Sequence, residues 1–171
     1  LSMLLHPSSR LIVHLDMNSF FASVEQQANP AWRGRPLGVC ANLHEKGCII
    51  AASREAKKFG MKVGMRVEEA REKVPHAVFV QNDPAKYRSV ISRVFAILHE
   101  LTDVVEYYSI DEAFLDLTGW YRDAAEVAVV MTRVQQRITA EVGDWLTCSV
   151  GIAPTRLMAK LASDLRKPNG L

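Results

Sequence analysis

The sequence is poor in cysteine, and its cysteines do not form any pair with metal-binding spacing. Cys40, Cys48 and Cys148 are an odd number and contain no C-x-x-C motif. We therefore expect neither a disulfide framework nor a structural zinc site, and a reducing cytoplasm is the simplest location. The sequence also lacks an apolar run near the roughly 20 residues that a membrane-spanning helix needs, so we expect no membrane partner.

A strong excess of charge of one sign is also missing. The formal net charge of the 171 residues is only +2, which is compatible with nucleic-acid binding but is no argument for it. Any phosphate binding must therefore come from local clusters. Hydrophobic residues make up 49% of the chain, enough for a buried core, and we find no internal repeat or low-complexity segment. The length predicts one domain, or a compact domain with a sizeable insertion.

Hydrophobic periodicity predicts alternating strands and helices over most of the chain. The predicted strands are residues 11–15, 104–109, 113–117 and 147–152, and the predicted helices are 84–101, 122–142 and 155–165. The last helix is expected to pack Leu157, Leu161 and Leu165 against the rest of the protein. A short helix is also expected to begin after Asn18 or Ser19.

A different texture, with short elements and glycines, is found between residues 33 and 75. Short strands are predicted there at residues 37–41 and 48–52, and short helices at 54–59 and 67–74. A further short strand is predicted at 77–80. With this small insertion set aside, the order is strand, helix, strand, strand, helix, strand. The sequence therefore predicts an α+β fold of the ferredoxin-like (split βαβ) type.

Three acidic residues lie at strand ends that this topology brings together. Asp16 follows the first strand, and Asp111 and Glu112 occupy the turn before the third. The first and third strands of a ferredoxin-like sheet are antiparallel neighbours, so these acids should meet at one edge. The alternative is that Asp16 caps a turn and that Asp111 and Glu112 are solvated hairpin residues.

Carboxylates that lie so close together oppose one another's ionisation unless cations compensate them. Oxygen ligands without histidine or cysteine favour Mg²⁺ or Mn²⁺ over zinc. Two such ions would stabilise the attacking and leaving oxygens of an in-line phosphoryl displacement. The acids therefore predict a two-metal site for phosphoryl transfer.

Four motifs resemble those of one enzyme family. They are DMNSFFASVE at residues 16–25, EAKKFG at 55–60, YSIDEA at 108–113, and SVGIAP followed by AKLASDLRKPNG between 149 and 170. Together they resemble the Y-family, or translesion, DNA polymerases, and most of all the bacterial DNA polymerase IV type. The resemblance covers essentially the whole chain, with the motifs in the family's order.

This resemblance implies a palm at residues 3–19 and 85–171, with a small fingers subdomain inserted at 20–84. We expect the native chain to begin at Met3, after Leu1 and Ser2. The chain stops soon after KPNG, so we expect no thumb or little finger in it. Without these domains we expect weak, salt-sensitive DNA binding and distributive synthesis at best.

The implied function is template-directed, low-fidelity DNA synthesis during translesion repair, with primer-template DNA and dNTP as partners. A sliding clamp is a further possible partner, through regions outside this chain.

By resemblance, Asp16, Asp111 and Glu112 are catalytic and hold two Mg²⁺ ions, for which Mn²⁺ can substitute. The backbone carbonyl of Met17 is the fourth implied ligand. The implied nucleotide-binding residues are Ser19, Phe20, Phe21, Arg54, Lys57 and Lys167. Phe21 stands at the steric-gate position that excludes a ribose 2′-hydroxyl; its alternative role is a core position on a helix.

Departures from the family pattern leave alternatives open. Arg54 and Lys57 stand where the family usually has tyrosine and arginine, so a hydroxyl becomes a cation and a bidentate guanidinium becomes a point charge. Thr155 and Arg156 replace a common Asn-Lys pair, a minor change. The alternatives are a non-catalytic accessory protein, a module that binds only nucleotide and metal, and a nucleotide cyclase. The lack of a GGDEF-like turn argues against the cyclase.

Overall fold

The structure is a computed structural model, and it describes residues 10–171. The expected start at Met3, and the first residues of the predicted palm, lie outside the described residues. Within residues 10–171, no helix is both long and apolar enough to cross a membrane. The strands are β1 (Ile12–Met17), β2 (Leu37–Cys40), β3 (Ile49–Ala52), β4 (Val78–Gln81), β5 (Val105–Tyr107), β6 (Glu112–Asp116) and β7 (Cys148–Ala153). The helices are α1 (Phe20–Ala28), α2 (Arg54–Lys58), α3 (Val67–Lys73), α4 (Pro84–His99), α5 (Ala124–Arg137) and α6 (Arg156–Leu165).

The described chain divides into two compact units. The first contains residues 10–18, 91–142 and 147–171, and the second contains residues 19–90 and 143–146. The units therefore change over at 18/19 and 90/91, whereas the sequence-based palm and fingers boundaries are 19/20 and 84/85. The assignment of the units as palm and fingers remains a prediction.

The sheet of the first unit has four strands in the order β5-β6-β1-β7. β1 is antiparallel to both β6 and β7, and β5 is antiparallel to β6. This is the strand order of a ferredoxin-like sheet, so the predicted fold class is confirmed, including the pairing of the first and third strands. The predicted strand at 104–109 is shorter than expected, and the predicted helix at 122–142 ends as α5 before a π-helical turn (Ile138–Val142).

Alternation along the strands gives the sheet an apolar and a polar face. The apolar face is built from residues that are almost completely buried: Val13, Leu15, Met17, Ala113, Leu115, Cys148 and Val150. The polar face carries His14 and Asp16 of β1, Glu112 of β6 and Ser149 of β7, which alternate with the apolar positions. Predicted site residues and core residues therefore share the same strands.

The orientation of α6 differs from the sequence-based prediction. Leu157, Leu161 and Leu165, expected to pack inward, are 71%, 57% and 83% exposed. The helix instead buries Ala159 and Ser163 against β1 and β7. The reason is Gly151 of β7, where an added Cβ atom would lie 2.0 Å from the Ala159 carbonyl oxygen. Only small side chains fit where backbones come this close, so the leucines face outward.

The second unit has a three-stranded sheet in the order β3-β2-β4, with β2 antiparallel to β3 and parallel to β4. Its helices α2 and α3 are short, and of these only α2 has a side-chain cap. Ser53 caps α2 because its hydroxyl accepts a hydrogen bond from the Ala56 N–H (3.1 Å). One apolar cluster forms its core and includes Ile49, Met61 and Val67.

Candidate active site

The antiparallel pairing of β1 and β6 brings the three predicted acids to one edge of the sheet. Asp16 of β1 lies directly opposite Glu112 of β6 in the strand register. The Met17 N–H donates a hydrogen bond of 3.0 Å to the Asp111 carbonyl oxygen, so Asp111 lies beside the end of β1. The three acids therefore meet as the predicted topology requires, although Asp111 and Glu112 lie 95 and 96 positions after Asp16 in the chain.

Lys160 of α6 and Lys167, two residues after the end of that helix, neutralise two of these carboxylates. Lys160 donates a hydrogen bond to the Glu112 carboxylate, and Lys167 donates one to the Asp16 carboxylate. Lys167 also contacts the carboxylate of Asp164 at 2.7 Å. Sequence reasoning named Lys167 but missed Lys160. Lys160 stands in the same AKLASDLRKPNG motif as Lys167, and this shared motif is the signal that could have found it.

The electrostatics of the acids depend on these contacts. Burial tends to raise the pKa of Glu112, but hydrogen bonds from Lys160 and His14 bring it below its usual value. Burial raises the pKa of Asp111, and the negative charges of Asp16 and Glu112 raise it further, against a lowering hydrogen bond from Ser109. The acids therefore lie close enough to oppose one another's ionisation.

The buried His14 side chain links Glu112 to Ser163 through hydrogen bonds. The Nε2 atom of His14 lies 3.1 Å from Glu112 Oε2, and its Nδ1 atom lies 2.8 Å from Ser163 Oγ. Ser163 Oγ donates to the Lys160 carbonyl oxygen at 2.8 Å. The His14 side chain is fully buried, and this burial lowers its pKa. Sequence reasoning missed both residues, although His14 shares a strand face with Asp16 by its two-residue spacing.

The donor chemistry at this edge fits Mg²⁺ or Mn²⁺. The side chains of Asp16, Asp111 and Glu112 offer only oxygen ligands, which these hard cations prefer. In residues 10–171, however, no three His, Cys, Asp or Glu side chains are arranged to hold a metal ion. Ammonium groups instead contact the carboxylates of Asp16 and Glu112. Lysine ammonium groups therefore compensate the negative charge of these two carboxylates.

The remaining predicted nucleotide-binding residues belong to the second unit. Ser19 precedes α1 with a left-handed backbone (φ 47°), and the Lys57 ammonium donates a hydrogen bond of 2.9 Å to its hydroxyl. The Phe20 side chain is buried, so only its backbone is available to a ligand. Arg54, the first residue of α2, is half-buried. Lys57 and Ser19, two of the predicted nucleotide-binding residues, are therefore joined by a side-chain hydrogen bond.

Phe21, the predicted steric gate, stacks on an aromatic neighbour within the second unit. Its ring stacks on Tyr87, with centroids 4.3 Å apart and an interplanar angle of 14°. The Tyr87 hydroxyl donates to Glu25 at 2.8 Å, and Lys86 donates to the same carboxylate at 2.8 Å. Stacking against the buried Tyr87 ring limits the movement of the Phe21 ring.

Comparison with known proteins agrees with this architecture. Residues 15–164 match the impB/mucB/samB family. The chain belongs to this family. DNA polymerase IV of Streptococcus pyogenes serotype M28 (strain MGAS6180) is 40% identical over 98% of this chain and 46% of its own length. The chain therefore spans about half the length of the curated relatives that it matches.

Solved structures agree with the family assignment. A Y-family DNA polymerase chimera of Dbh and Dpo4 superposes with a TM-score of 0.89 at 33% identity, over 94% of this chain and 47% of the other. An insertion ternary complex of Dbh DNA polymerase gives a TM-score of 0.87 at 33% identity, with the same coverage. The resemblance to the Y-family is confirmed. Y-family DNA polymerases are in general metal-dependent.

Proposed function

We propose that the chain is the catalytic portion of a template-directed DNA polymerase of the translesion type, transferring a nucleotide from dNTP to a primer 3′-hydroxyl. The observation that carries this proposal is the position of Asp16 opposite Glu112, with Asp111 beside the end of β1. Family membership supports it because the relatives that this chain matches carry DNA polymerase names.

Asp16, Asp111 and Glu112 are proposed to hold two Mg²⁺ ions, with the Met17 carbonyl as a further ligand. When bound, such ions lower the pKa of the attacking hydroxyl and stabilise the leaving pyrophosphate. The contribution of this chain is to hold carboxylate oxygens at one sheet edge. The cross-strand pairing of β1 and β6 supports this role, since it sets the spacing of Asp16 and Glu112 through backbone hydrogen bonds.

The dNTP is proposed to contact the backbone N–H groups of Ser19 and Phe20, and the side chains of Arg54, Lys57 and Lys167. Backbone N–H groups at a helix start suit a triphosphate, because they are unpaired donors at the positive end of the helix dipole. The Lys57–Ser19 hydrogen bond supports a shared role for these two residues. Phe21 is proposed to exclude the ribose 2′-hydroxyl.

The proposed macromolecular partner is primer-template DNA. A formal net charge of only +2 gives little overall attraction for the phosphates, so binding by this chain should be weak and salt-sensitive. A sliding clamp, bound through regions outside this sequence, is a proposed further partner. Cytoplasmic location is proposed from the scarcity of cysteine and the absence of a disulfide-like spacing.

Primer extension is the first test. The chain is incubated with primed template, all four dNTPs and Mg²⁺ or Mn²⁺, beside Asp111→Ala/Glu112→Ala. We expect template-directed extension that the double variant lowers by at least about a thousandfold, because the metal-holding carboxylates are lost. Glu106→Ala is the matched control, since Glu106 is an exposed acid of the same sheet paired with Arg156. A Phe21→Ala variant should incorporate ribonucleotides more readily than the native chain.

The second candidate, a module that binds nucleotide and metal without extending primers, rests on Arg54 and Lys57. These replacements change the donor geometry expected for triphosphate. Metal-dependent dNTP binding, measured by isothermal titration, separates the cases. Extension excludes this second candidate. Binding without extension is the result expected of a palm–fingers catalytic module that does not extend primers by itself. Loss of both binding and extension contradicts the proposed function and favours an accessory protein.

A further inference from the structure

Lys160 has no role in the proposed function, yet it makes one of the most direct contacts with the metal-holding acids. Its ammonium donates to Glu112 Oε2, the same oxygen that faces His14 Nε2. The Lys160 side chain is 35% exposed and the Glu112 side chain only 19%. An ion pair shielded in this way is worth more than a surface pair, because less water screens it.

The position of Lys160 is set by the fold rather than by chance side-chain geometry. Gly151 lets the backbone of α6 lie directly on β7, so an added Cβ would meet the Ser163 nitrogen at 2.4 Å. The Lys160 ammonium also lies 5.0 Å above the Tyr108 ring, whose negative face attracts it. Helix packing and the Tyr108 ring therefore both direct this ammonium toward Glu112.

We propose that Lys160 is an internal counter-ion for Glu112 that a divalent cation must displace to use the carboxylate. This inference rests on the proposed metal site. A metal ion and an ammonium group cannot both bind the same lone pairs of Glu112 Oε2, and their positive charges repel each other. The ion pair thus lowers metal affinity while it keeps the clustered carboxylates compensated in the metal-free protein.

Two opposite effects of removing the Lys160 charge follow. Lys160→Met keeps most of the apolar stem but deletes the competing cation, so Mn²⁺ should bind more tightly. The same change leaves Glu112 facing Asp16 without its neutralising partner, so the metal-free protein should be less stable. A lysine that only packed against Tyr108 would produce neither increase in affinity nor any dependence on metal.

Metal affinity is measured on the whole chain without nucleotide or DNA, by electron paramagnetic resonance of free Mn²⁺ in about 150 mM salt, where the screening length is about 8 Å. We expect Lys160→Met to lower the Kd for Mn²⁺ about fivefold. Lys160→Arg, which retains the charge, should leave the Kd within about twofold. Arg156→Met is the matched control, because it removes a cation one turn earlier on α6 that pairs with Glu106 instead.

Thermal unfolding supplies a second readout. Lys160→Met should melt at a lower temperature than the native chain in EDTA, and saturating Mn²⁺ should remove most of this difference, since a bound cation replaces the missing charge. Arg156→Met should show the same difference from the native chain with and without Mn²⁺.

The outcomes separate this inference from the proposed function. If the native chain binds Mn²⁺ no better than Asp111→Ala/Glu112→Ala, the metal site itself is wrong and the inference falls with it. If the native chain binds Mn²⁺ through these acids but Lys160→Met has an unchanged Kd, only the counter-ion role is wrong. An equal gain in affinity from Arg156→Met also overturns it, since the effect would then be one of total charge.

Discussion

The two faces of the first unit's sheet are made by the same strands but are stabilised by different interactions. On one face Val13, Leu15 and Leu115 are buried among apolar neighbours. On the other face, one residue away along each strand, His14 and Glu112 are joined by a hydrogen bond. The first face is stabilised by removal of apolar surface from water. The second also buries Ile12 and Phe114, but its polar groups in addition each need a hydrogen-bond partner.

The contrast explains how a site rich in charge can lie against a well-packed core. Throughout residues 10–171, every buried side-chain nitrogen or oxygen atom has a hydrogen-bond partner. On the polar face these partners come largely from α6, which supplies Lys160 and Ser163. The partners of the polar groups therefore come largely from outside the sheet, whereas the apolar face is held by close packing.

The largest effect should come from a cavity in the apolar face. Leu15 is fully buried, so Leu15→Ala should lower the free energy of unfolding by about 3 kcal/mol. Leu157→Ala removes the same atoms from a side chain that is 71% exposed, and it should change the free energy by less than about 0.5 kcal/mol. Urea unfolding followed by circular dichroism measures both. Equal losses for the two variants would contradict the burial described for α6 and β1.

A smaller effect on stability should follow from separating α6 from β7. Gly151→Ala places a Cβ against the α6 backbone, so we expect a loss of about 2 kcal/mol in the free energy of unfolding. Because the displaced helix carries Lys160 away from Glu112, the Mn²⁺ affinity should rise as well. Lys160→Met is the control, since it should raise the affinity without the clash. A Gly151→Ala variant of native stability would show that α6 does not lie this close to β7.

The smallest expected effect is on the pH dependence of stability, and it comes from Asp116 at the other end of β6. Asp116 accepts hydrogen bonds from the Thr118 N–H (3.0 Å) and from Arg10 (2.9 Å). Burial tends to raise its pKa, but these contacts bring the pKa below its ordinary 3.8. A lowered folded-state pKa adds stability at pH values above 3.8, which is lost as the pH falls through the folded-state pKa.

Asp116→Asn should therefore be less stable than the native chain near pH 7 but should lose less stability between about pH 5 and pH 2. Chemical unfolding at a series of pH values measures this slope. Leu15→Ala is the control, because a loss of apolar packing should shift the whole curve without changing its slope in this range. A parallel shift for Asp116→Asn would mean that the contacts with Arg10 and Thr118 do not discriminate between the charge states.

Much of the fold was predictable because local signals and topology rules agreed. With the inserted residues 33–75 set aside, the alternation of strands and helices predicted a ferredoxin-like sheet. The strand order β5-β6-β1-β7 confirms this prediction. The antiparallel pairing of β1 with β6 followed from that topology, and with it the proximity of Asp16 and Glu112. Strand ends differ from prediction by one or two residues in most cases, since local sequence specifies boundaries weakly.

The packing of α6 could not be predicted in the same way. Its leucines at positions 157, 161 and 165 repeat at helical spacing, a pattern that usually marks a buried face. The buried face is instead the one with Ala159 and Ser163, because Gly151 on a distant strand allows a close approach. Helical periodicity identifies an apolar stripe, but it does not reveal which side of a helix another backbone will touch.

The sequence by itself determined the family, the class of fold and the positions of the three acids, because motifs and strand order are local or topological properties. Only the tertiary structure decided which cations those acids meet. Lys160 lies 48 positions from Glu112 and Lys167 lies 151 positions from Asp16. Contacts at such separations depend on how closely α6 packs on β7, and this closeness is set by the shape of both surfaces together.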